Sequence, residues 1–304
     1  MMAQILELKE VSKRLGNKDV VRDVNLSVSS SEIFGFLGPN GAGKTTTIRM
    51  IVGLIKPTSG QINICGYSIK KDFKKAMSNV GCIIESPDMY KYFTGMENLQ
   101  HFAAMDKRIT KERIDEVVEM VGLSHRINDK VSTYSLGMRQ RLGIAQAIMG
   151  RPKLLILDEP TNGLDPAGIA EFRHLIRRLA YEEGMGVFIS SHILSELQLI
   201  CDTVAIVSKG RVVKSVKVKE IVEDMIVEWF LDKPERAIEI LKERWNIDGE
   251  QSRKNSVKAC IGTVRVEDIN RTFFNEGLVI SYCESHGNSL EELFLKLTEG
   301  DEIV

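Results

Sequence analysis

The stretch "GPNGAGKTT" (38–46) lies between an apolar run, "EIFGFLG" (32–38), and a segment with helical periodicity that is predicted to begin near Gly43. Glycines let successive backbone N–H groups turn inward, and a helix N-terminus adds partial positive charge, so such a loop favours phosphate oxygens over water. In this context Lys44 is expected to reach the β- and γ-phosphates of a nucleotide, and Thr45 to bind Mg²⁺ through its hydroxyl. For this motif alone, a glycine turn that contains Gly-Lys-Thr by chance is the alternative.

A second apolar run, "LLILDEP" (154–160), ends in two adjacent carboxylates. Parallel strands bind ligands outside their carboxyl ends, so Asp158 and Glu159 are predicted to face the same crevice as the glycine loop. Asp158 is expected to hold the Mg²⁺ shell, and Glu159 to orient and deprotonate an attacking water. A surface Asp-Glu pair is common in isolation, but it becomes a poor explanation beside residues 38–46.

Two further motifs complete a resemblance to a known family. "YSLGMRQRLGIAQAI" (134–148) and "ISSH" (189–192) stand in order with "GPNGAGKTT" and "LLILDEPTNGLDP" (154–166). Together these motifs resemble the ATP-binding-cassette (ABC) ATPases over about residues 4–210. In that family two cassettes face each other head to tail, and the signature segment of one closes over the triphosphate held by the other.

The resemblance implies a role for each matching residue. The expected ATP-binding set is Gly38, Pro39, Asn40, Gly41, Ala42, Gly43, Lys44, Thr45 and Thr46, with Ser135 and Gly137 from the opposite cassette and Leu15 at the adenine base. Lys44, Glu159 and His192 are expected to be catalytic, and Asp165 to contact the other protomer. "SLGMRQRLGIAQAIMG" also predicts a helix with Ser135 near its N-cap, which provides an anion site without a lysine.

Four positions depart from the family pattern. Tyr134 and Leu136 stand where the signature usually has leucine and glycine. Leu15 replaces an aromatic residue, so selectivity for ATP over GTP is open. Glu85, in "VGCIIESPDMYKYFTGMENL" (80–99), stands where most members have glutamine; this segment resembles the subgroup that serves bacitracin and lantibiotic resistance exporters. Glu85 is hypothesised to join Thr45 and Asp158 as a metal contact, and a solvated loop glutamate is the alternative.

The predicted fold is α/β: a P-loop ATPase core, with a parallel sheet and an antiparallel N-terminal β subdomain, an α-helical insert and a small C-terminal α/β domain. The domains are expected at 4–215, with the insert at about 96–149, and at 217–304. Within the second domain, "IDGEQSRKNS" (247–256) is predicted to be an exposed turn and "NSLEELFLKLTEG" (288–300) a terminal helix.

Composition limits the classes of partner. The formal net charge is −1, from 41 basic and 42 acidic residues, so no uniform excess of positive charge favours nucleic acid. The five cysteines lack a C-x-x-C pair, so we expect buried reduced thiols rather than disulfides or structural zinc. No apolar run approaches the ~18 residues of a membrane span.

The ABC resemblance, together with the motifs, implies an ATPase with ATP and Mg²⁺ as cofactors, acting as the nucleotide-binding subunit of an exporter. The expected partners are a second ATPase subunit, identical or different, and an integral membrane permease, at the inner face of the plasma membrane. An antimicrobial peptide or similar amphiphile is the expected cargo from subgroup resemblance. The alternatives are a soluble ABC-type ATPase of repair or translation, an importer subunit with a regulatory tail and, less well supported because Glu159 is present, a non-enzymatic nucleotide-binding module.

Overall fold

The computed structural model describes residues 3–85, 87–219, 225–262 and 264–287. The chain forms two compact units, Met1–Ser215 and Val216–Val304. In chain order, the strands and helices of the first are β1 (Gln4–Leu15), β2 (Lys18–Ser29), β3 (Ile33–Leu37), α1 (Lys44–Ile51), β4 (Ser59–Ile64), β5 (Tyr67–Ser68), α2 (Phe73–Met77), β6 (Val80–Ile83), α3 (Gly95–Ala103), α4 (Lys111–Met120), α5 (Leu136–Ile148), β7 (Leu154–Asp158), α6 (Pro166–Tyr181), β8 (Gly186–Ser191), α7 (Leu194–Ile200), β9 (Thr203–Ser208) and β10 (Arg211–Lys217), the last of which extends into the second unit.

A six-stranded sheet carries the candidate site. Its strand order is β10-β9-β3-β8-β7-β6, with parallel pairing along β9-β3-β8-β7-β6. β3, β7 and β8 are buried along their whole length, as expected of parallel strands covered on both faces. The continuous apolar runs in the sequence are therefore the central strands, and their carboxyl ends lie at one edge of the sheet.

The antiparallel N-terminal subdomain packs beside this sheet. Its order is β2-β1-β4-β5, and the buried residues of β1 and β2 share one core with β3, β7 and α1. The predicted fold class is therefore confirmed for the first unit.

The helical insert is held together by caps and by one buried arginine. Thr94 and Glu97 form a reciprocal capping box at the start of α3. Arg113 of α4 donates to the carbonyl oxygens of Ile148 and Met149 at 2.7 and 3.2 Å, so it satisfies acceptors at the C-terminal end of α5.

The second unit is a separate α/β structure with its own core. It contains β11 (Met225–Leu231), α8 (Pro234–Trp245), β12 (Gly249–Arg253), β13 (Ser256–Cys260), α9 (Val266–Asn275) and β14 (Ile280–Gly287). The strand order β12-β13-β11-β14 with a β-α-β-β-α-β sequence is typical of a ferredoxin-like arrangement. Trp229 and Phe273 lie at its centre with ring centroids 5.5 Å apart.

One sequence-based expectation about these parts was wrong. "IDGEQSRKNS" is not only a turn, because β12 occupies half of it and pairs with β13. Its polar residues fit an edge strand, which exposes one long side to water. The predicted terminal helix in "NSLEELFLKLTEG" lies outside the described residues.

The cysteines also differ from expectation. Cys201 is buried, and burial raises the pKa of its thiol, but Cys82 and Cys260 are exposed. Cys65, Cys82, Cys201 and Cys283 are free thiols, and the described part of the chain contains no cluster of three or more His, Cys, Asp or Glu side chains suited to a metal ion. Within the same ranges, no helix is both long enough and apolar enough to cross a bilayer.

Candidate functional site

The loop between β3 and α1 has a backbone path that only glycine allows at two points. A Cβ at Gly38 would lie 2.5 Å from the carbonyl oxygen of Val207 on β9. Gly43 has φ +99°, and a Cβ there would lie 2.7 Å from the carbonyl oxygen of Val20. The loop is thus wedged between two strands, and it delivers the first turn of α1, with its unpaired N–H groups, to the edge of the sheet.

Lys44 is a buried cation at the centre of this edge. Its side chain is 5% exposed, and its Nζ donates to the carbonyl oxygens of Gly38 and Pro39 at 2.6 and 3.2 Å. The same Nζ lies 3.1 Å from Oε1 of Glu159. The ammonium group is therefore held by oxygens that phosphate oxygens can replace.

Asp158 is fixed by two hydroxyls. Its Oδ2 accepts a hydrogen bond of 2.8 Å from Thr45, and its Oδ1 accepts one of 2.5 Å from Ser190. The Asp158 residue is 2% exposed, so its orientation is set by these bonds and by its position at the end of β7. A hydroxyl oxygen beside a carboxylate is an arrangement that Mg²⁺ accepts in nucleotide sites.

Glu159 lies one residue further on, with its two carboxylate oxygens bound to different partners. Oε1 faces Lys44, and Oε2 lies 2.9 Å from Nδ1 of His192. Its backbone has φ +48°, a left-handed conformation that is uncommon outside glycine and turns the side chain out of the strand direction. The side chain is 17% exposed, so water can reach it.

Ser190 is the residue of this cluster to which sequence reasoning assigned no role. Asp158 and Ser190 are directly paired across β7 and β8, and the Ser190 hydroxyl also accepts from the Glu159 N–H at 3.0 Å. A signal was present, since "ISSH" closes a buried strand parallel to the one that ends in Asp158. Neighbouring parallel strands end at the same edge, so their terminal polar residues are expected to meet.

The second motif forms the capped start of α5. Ser135 is the N-cap, and its hydroxyl accepts from the Met138 N–H at 3.2 Å. Leu136 packs over the backbone of Gly163, and Asp165 caps α6 by accepting from Gly168 N–H at 2.8 Å. Among the described residues, no hydrogen bond or ion pair joins Ser135 or Gly137 to residues 38–46.

Comparison with known proteins places these motifs in one family. The family model described as "ABC transporter" matches residues 21–162. A bacitracin transport ATP-binding protein of Bacillus licheniformis is 40% identical over 305 residues, which cover 99% of this chain and 100% of that protein. The chain belongs to the ABC transporter family.

Two further similarities refine this assignment. A lantibiotic transport ATP-binding protein of Streptococcus pyogenes is 38% identical over 210 residues, 69% of this chain and 89% of that protein. A solved dimeric ABC cassette in a post-hydrolysis state, bound to ADP and inorganic phosphate, has 25% identity and a TM-score of 0.63 over 70% of this chain and 99% of its own. The chain is thus an ABC ATP-binding subunit of a transporter, with bacitracin and lantibiotic transport proteins among its relatives.

The ABC cassette has residues that fit ATP with Mg²⁺. The buried Lys44 ammonium, the free N–H groups of the first turn of α1 and the Thr45 hydroxyl supply donors and one metal ligand, and Asp158 supplies a carboxylate. Mg²⁺ binds proteins through one or two carboxylates and keeps several waters, so a larger ligand cluster is not required.

In the described part of the chain, Glu85 forms no hydrogen bond or ion pair with Thr45 or Asp158. It accepts a 2.7 Å charge-assisted hydrogen bond from Arg49 on α1, and its side chain is 67% exposed. Its φ is +66°, so the loop turns sharply at this residue. The alternative of a solvated glutamate describes this arrangement, and a metal contact requires Glu85 to exchange Arg49 for the ion.

Leu15 lies at the end of β1, before the two-residue turn to β2, and is 49% exposed. An apolar side chain there offers a contact surface but no π-face.

The ABC insert also presents an aromatic cluster beyond Glu85. Tyr90 lies 5.4 Å from Phe93, 5.1 Å from His101 and 6.2 Å from Phe102, measured between ring centroids. The Asn98 side chain fixes the backbone of Tyr90 by accepting from its N–H and donating to its carbonyl oxygen, at 2.8 and 3.1 Å. Tyr90 is nevertheless half exposed, so part of this aromatic cluster faces solvent.

Proposed function

We propose that this chain binds and hydrolyses Mg-ATP in a head-to-tail dimer and drives a separate membrane permease that exports an antimicrobial peptide or similar amphiphile. The observation that carries the proposal is the position of Glu159, whose two oxygens are divided between Lys44 and His192 beside the Asp158 pair. ATP supplies the scissile phosphoanhydride bond, and Mg²⁺ neutralises charge on the phosphates.

Lys44 has the first role in this mechanism. When it engages phosphate oxygens, its ammonium group gives up the Gly38 and Pro39 carbonyl oxygens and Oε1 of Glu159 in exchange. Oε1 then becomes available to accept a proton from water, while His192 keeps Oε2 oriented. Glu159 can therefore act as a base only when the Lys44 ammonium group is bound to the phosphates of the nucleotide.

Ser190 and Thr45 have positioning roles. Their hydroxyls hold both oxygens of Asp158, and the Ser190 hydroxyl also anchors the Glu159 backbone. Asp158 and Thr45 would hold Mg²⁺, and Gly38 to Thr46 would cradle the phosphates. Leu15 would contact the adenine ring, and its lack of a π-face makes GTP an alternative substrate worth assaying.

Dimerisation completes the proposed site. The N-cap of α5 presents Ser135 and Gly137 at a helix N-terminus, which attracts anions. In a head-to-tail dimer these residues would close over the triphosphate of the opposite protomer. The partner subunit is the same chain or a different cassette.

The insert provides the proposed contact with the permease. The aromatic cluster around Tyr90 is a fixed apolar surface of the kind that accepts an amphipathic helix. It follows Glu85 directly, so a cytoplasmic helix of the permease bound there would contact the loop that leads back to the nucleotide site. The chain would then act at the inner face of the plasma membrane.

The test uses Glu159→Gln in the full chain, with Glu182→Gln as a matched control because Glu182 is an exposed helix-end glutamate paired with Arg178. Loss of the general base should lower ATP turnover by about 100-fold or more while ATP binding is retained. The control should hydrolyse ATP at the rate of the unmutated protein. Turnover is measured by phosphate release and binding by a fluorescent ATP analogue.

The same Glu159→Gln variant tests the transporter assignment. It is purified from its native membranes in detergent with Mg-ATP, and co-purifying proteins are identified by mass spectrometry. A near-stoichiometric polytopic membrane protein supports the proposal. Recovery of soluble proteins alone, with normal hydrolysis by the unmutated chain, would replace it with a soluble ABC-type ATPase.

A further inference from the structure

The segment "YSIKKDFKKAM" (67–77) concentrates positive charge in a chain that has almost no net charge. Residues 70–75 contain four lysines and one aspartate, whereas the formal net charge of the whole chain is −1. No role in nucleotide binding uses these residues. A local excess of this kind in a nearly neutral protein indicates a surface with an anionic partner.

The structure exposes all four lysines along one short segment. Lys74 and Lys75 lie in α2, where Ala76 is the buried residue, and Lys70 and Lys71 lie in the turn before it. The Lys75 ammonium lies 5.6 Å from the centre of the Tyr67 ring and 3.9 Å from Asp72. Within the described part of the chain, no other ion pair involves these lysines, so most of their charge faces solvent.

Apolar side chains are interleaved with this charge. Phe73 is 47% exposed and Leu54 is 66% exposed. Phe73 packs over Gly53, where a Cβ would overlap its ring, so Phe73 and Leu54 lie on neighbouring parts of the surface. We call Leu54, Lys70, Lys71, Phe73, Lys74 and Lys75 the basic face.

The chemistry of the basic face matches an anionic bilayer surface better than nucleic acid. Its cations are all lysines, which act as hydrated point charges, and it lacks the arginine forks that read bases and grip phosphates bidentately. Exposed phenylalanine and leucine beside lysines are the pattern of side chains that enter the headgroup region while the ammonium groups stay among the lipid phosphates.

The basic face is also connected to the loop proposed to contact a permease. The Leu54 N–H donates to the carbonyl oxygen of Arg49 at 2.9 Å, and the Arg49 side chain binds Glu85. β6 lies between α2 and Glu85 in the chain. We propose that the basic face binds the anionic headgroup surface of a lipid bilayer.

Binding of the purified full chain to vesicles tests this proposal without any permease. The probes are vesicles of phosphatidylcholine alone and vesicles in which part of it is replaced by phosphatidylglycerol, and bound protein is measured by sedimentation. The test variant carries Lys70→Gln, Lys71→Gln, Lys74→Gln and Lys75→Gln. The matched control carries Lys18→Gln, Lys107→Gln, Lys111→Gln and Lys254→Gln, which removes the same charge from exposed sites elsewhere.

The unmutated protein should bind phosphatidylglycerol vesicles and not phosphatidylcholine vesicles, and binding should weaken as salt is raised. The test variant should bind at least about tenfold more weakly, whereas the control should bind like the unmutated chain. Leu54→Ser should weaken the part of the binding that persists at high salt. ATP hydrolysis in solution should be unchanged in both lysine variants, so a failure here is distinct from a failure of the proposed ATPase.

Three results would overturn the proposal. One is equal binding of the unmutated protein to both vesicle types, or to neither. Another is equal loss in the test and control variants, which would mean that total charge rather than the basic face decides. The third is binding to polyglutamate, lost in the test variant, without binding to phosphatidylglycerol vesicles; this would assign the basic face to an acidic protein partner.

Discussion

Glu85 is the residue at which this chain differs most informatively from the usual ABC pattern. Its carboxylate is bound to Arg49 at 2.7 Å, but both side chains are largely exposed. An exposed ion pair contributes roughly 1 kcal/mol or less. Exchange of Arg49 for a metal ion therefore costs little free energy.

Glu85→Gln should raise the Mg²⁺ concentration needed for half-maximal ATPase activity by roughly 3- to 10-fold, equivalent to about 1 kcal/mol of carboxylate–metal interaction. Arg49→Gln breaks the same ion pair from the other side and leaves the carboxylate in place. It should leave the Mg²⁺ requirement unchanged or lower it, because Glu85 is released. Titration of activity with Mg²⁺ at saturating ATP measures both variants.

The two variants separate the possible roles of Glu85. If both raise the Mg²⁺ requirement equally, the ion pair itself matters and the metal contact is wrong. If neither changes the Mg²⁺ requirement, Glu85 is a solvated loop residue.

At the residue scale, sequence reasoning succeeded where a side chain follows a strand or opens a helix. The sequence predicts that Lys44, Asp158 and Glu159 lie close together, because parallel strands end at one edge of a sheet. Arg49 could not be paired with Glu85, because nothing in the spacing of residues 49 and 85 tells which way a long exposed side chain points. That direction depends on the side-chain rotamers that the loop around Glu85 allows. Glu85 itself has φ +66°, a conformation that the sequence does not predict for a residue other than glycine.

Among the elements, α5 combines a structural and a proposed binding role at one residue. Ser135 caps the helix through its hydroxyl, and the same helix end is proposed to meet the triphosphate of the opposite protomer. The two roles have different charge requirements. A cap tolerates aspartate as well as serine, whereas a site for phosphate does not tolerate a carboxylate.

Ser135→Asp should therefore retain the stability of the cassette but abolish ATP-driven dimerisation. In a Glu159→Gln background with Mg-ATP, light scattering after size-exclusion chromatography should report a monomer for Ser135→Asp and a dimer for the parent. The matched control is Thr110→Asp at the N-cap of α4, where the Thr110 hydroxyl accepts from the Arg113 N–H at 3.3 Å. Persistence of the dimer in Ser135→Asp would mean that Ser135 does not lie in the dimer interface. Loss of the dimer in Thr110→Asp would mean that any added negative charge on the insert prevents dimerisation, wherever the charge lies.

Element prediction followed hydrophobic burial closely. β3, β7 and β8 are apolar throughout because both of their faces are covered, and such runs are legible in the sequence. β12 was missed because it is an edge strand with polar side chains, and its formation depends on pairing with β13 rather than on its own pattern. A strand that is stabilised mainly by hydrogen bonds to a neighbouring strand has no hydrophobic pattern by which its own sequence would reveal it.

At the scale of the whole molecule, the chain consists of two units with separate cores. The first is built around the mixed sheet and α1, and the second around Trp229, Phe273 and the inner residues of α8. The change of pattern near residue 217 was visible in the sequence, and the boundary between the two compact units falls between Ser215 and Val216 in the chain. How the second unit serves the transporter could not be predicted, because the described part of it carries core residues and surface charges but no chemical motif.

Both tryptophans of the chain, Trp229 and Trp245, belong to the second unit, so tryptophan fluorescence reports the unfolding of that unit alone. Mg-ATP is proposed to bind only the first unit, and ligand at about 100 times its dissociation constant stabilises a folded state by about 2.7 kcal/mol. For a unit of this size, that is a rise of about 5–10 °C in melting temperature.

Far-UV circular dichroism should therefore show one transition that Mg-ATP shifts upward, whereas the tryptophan transition stays in place. Lys44→Ala should abolish the shift without changing the tryptophan transition. Equal shifts by both probes would mean that the units unfold together, and that the second unit is coupled to the nucleotide site.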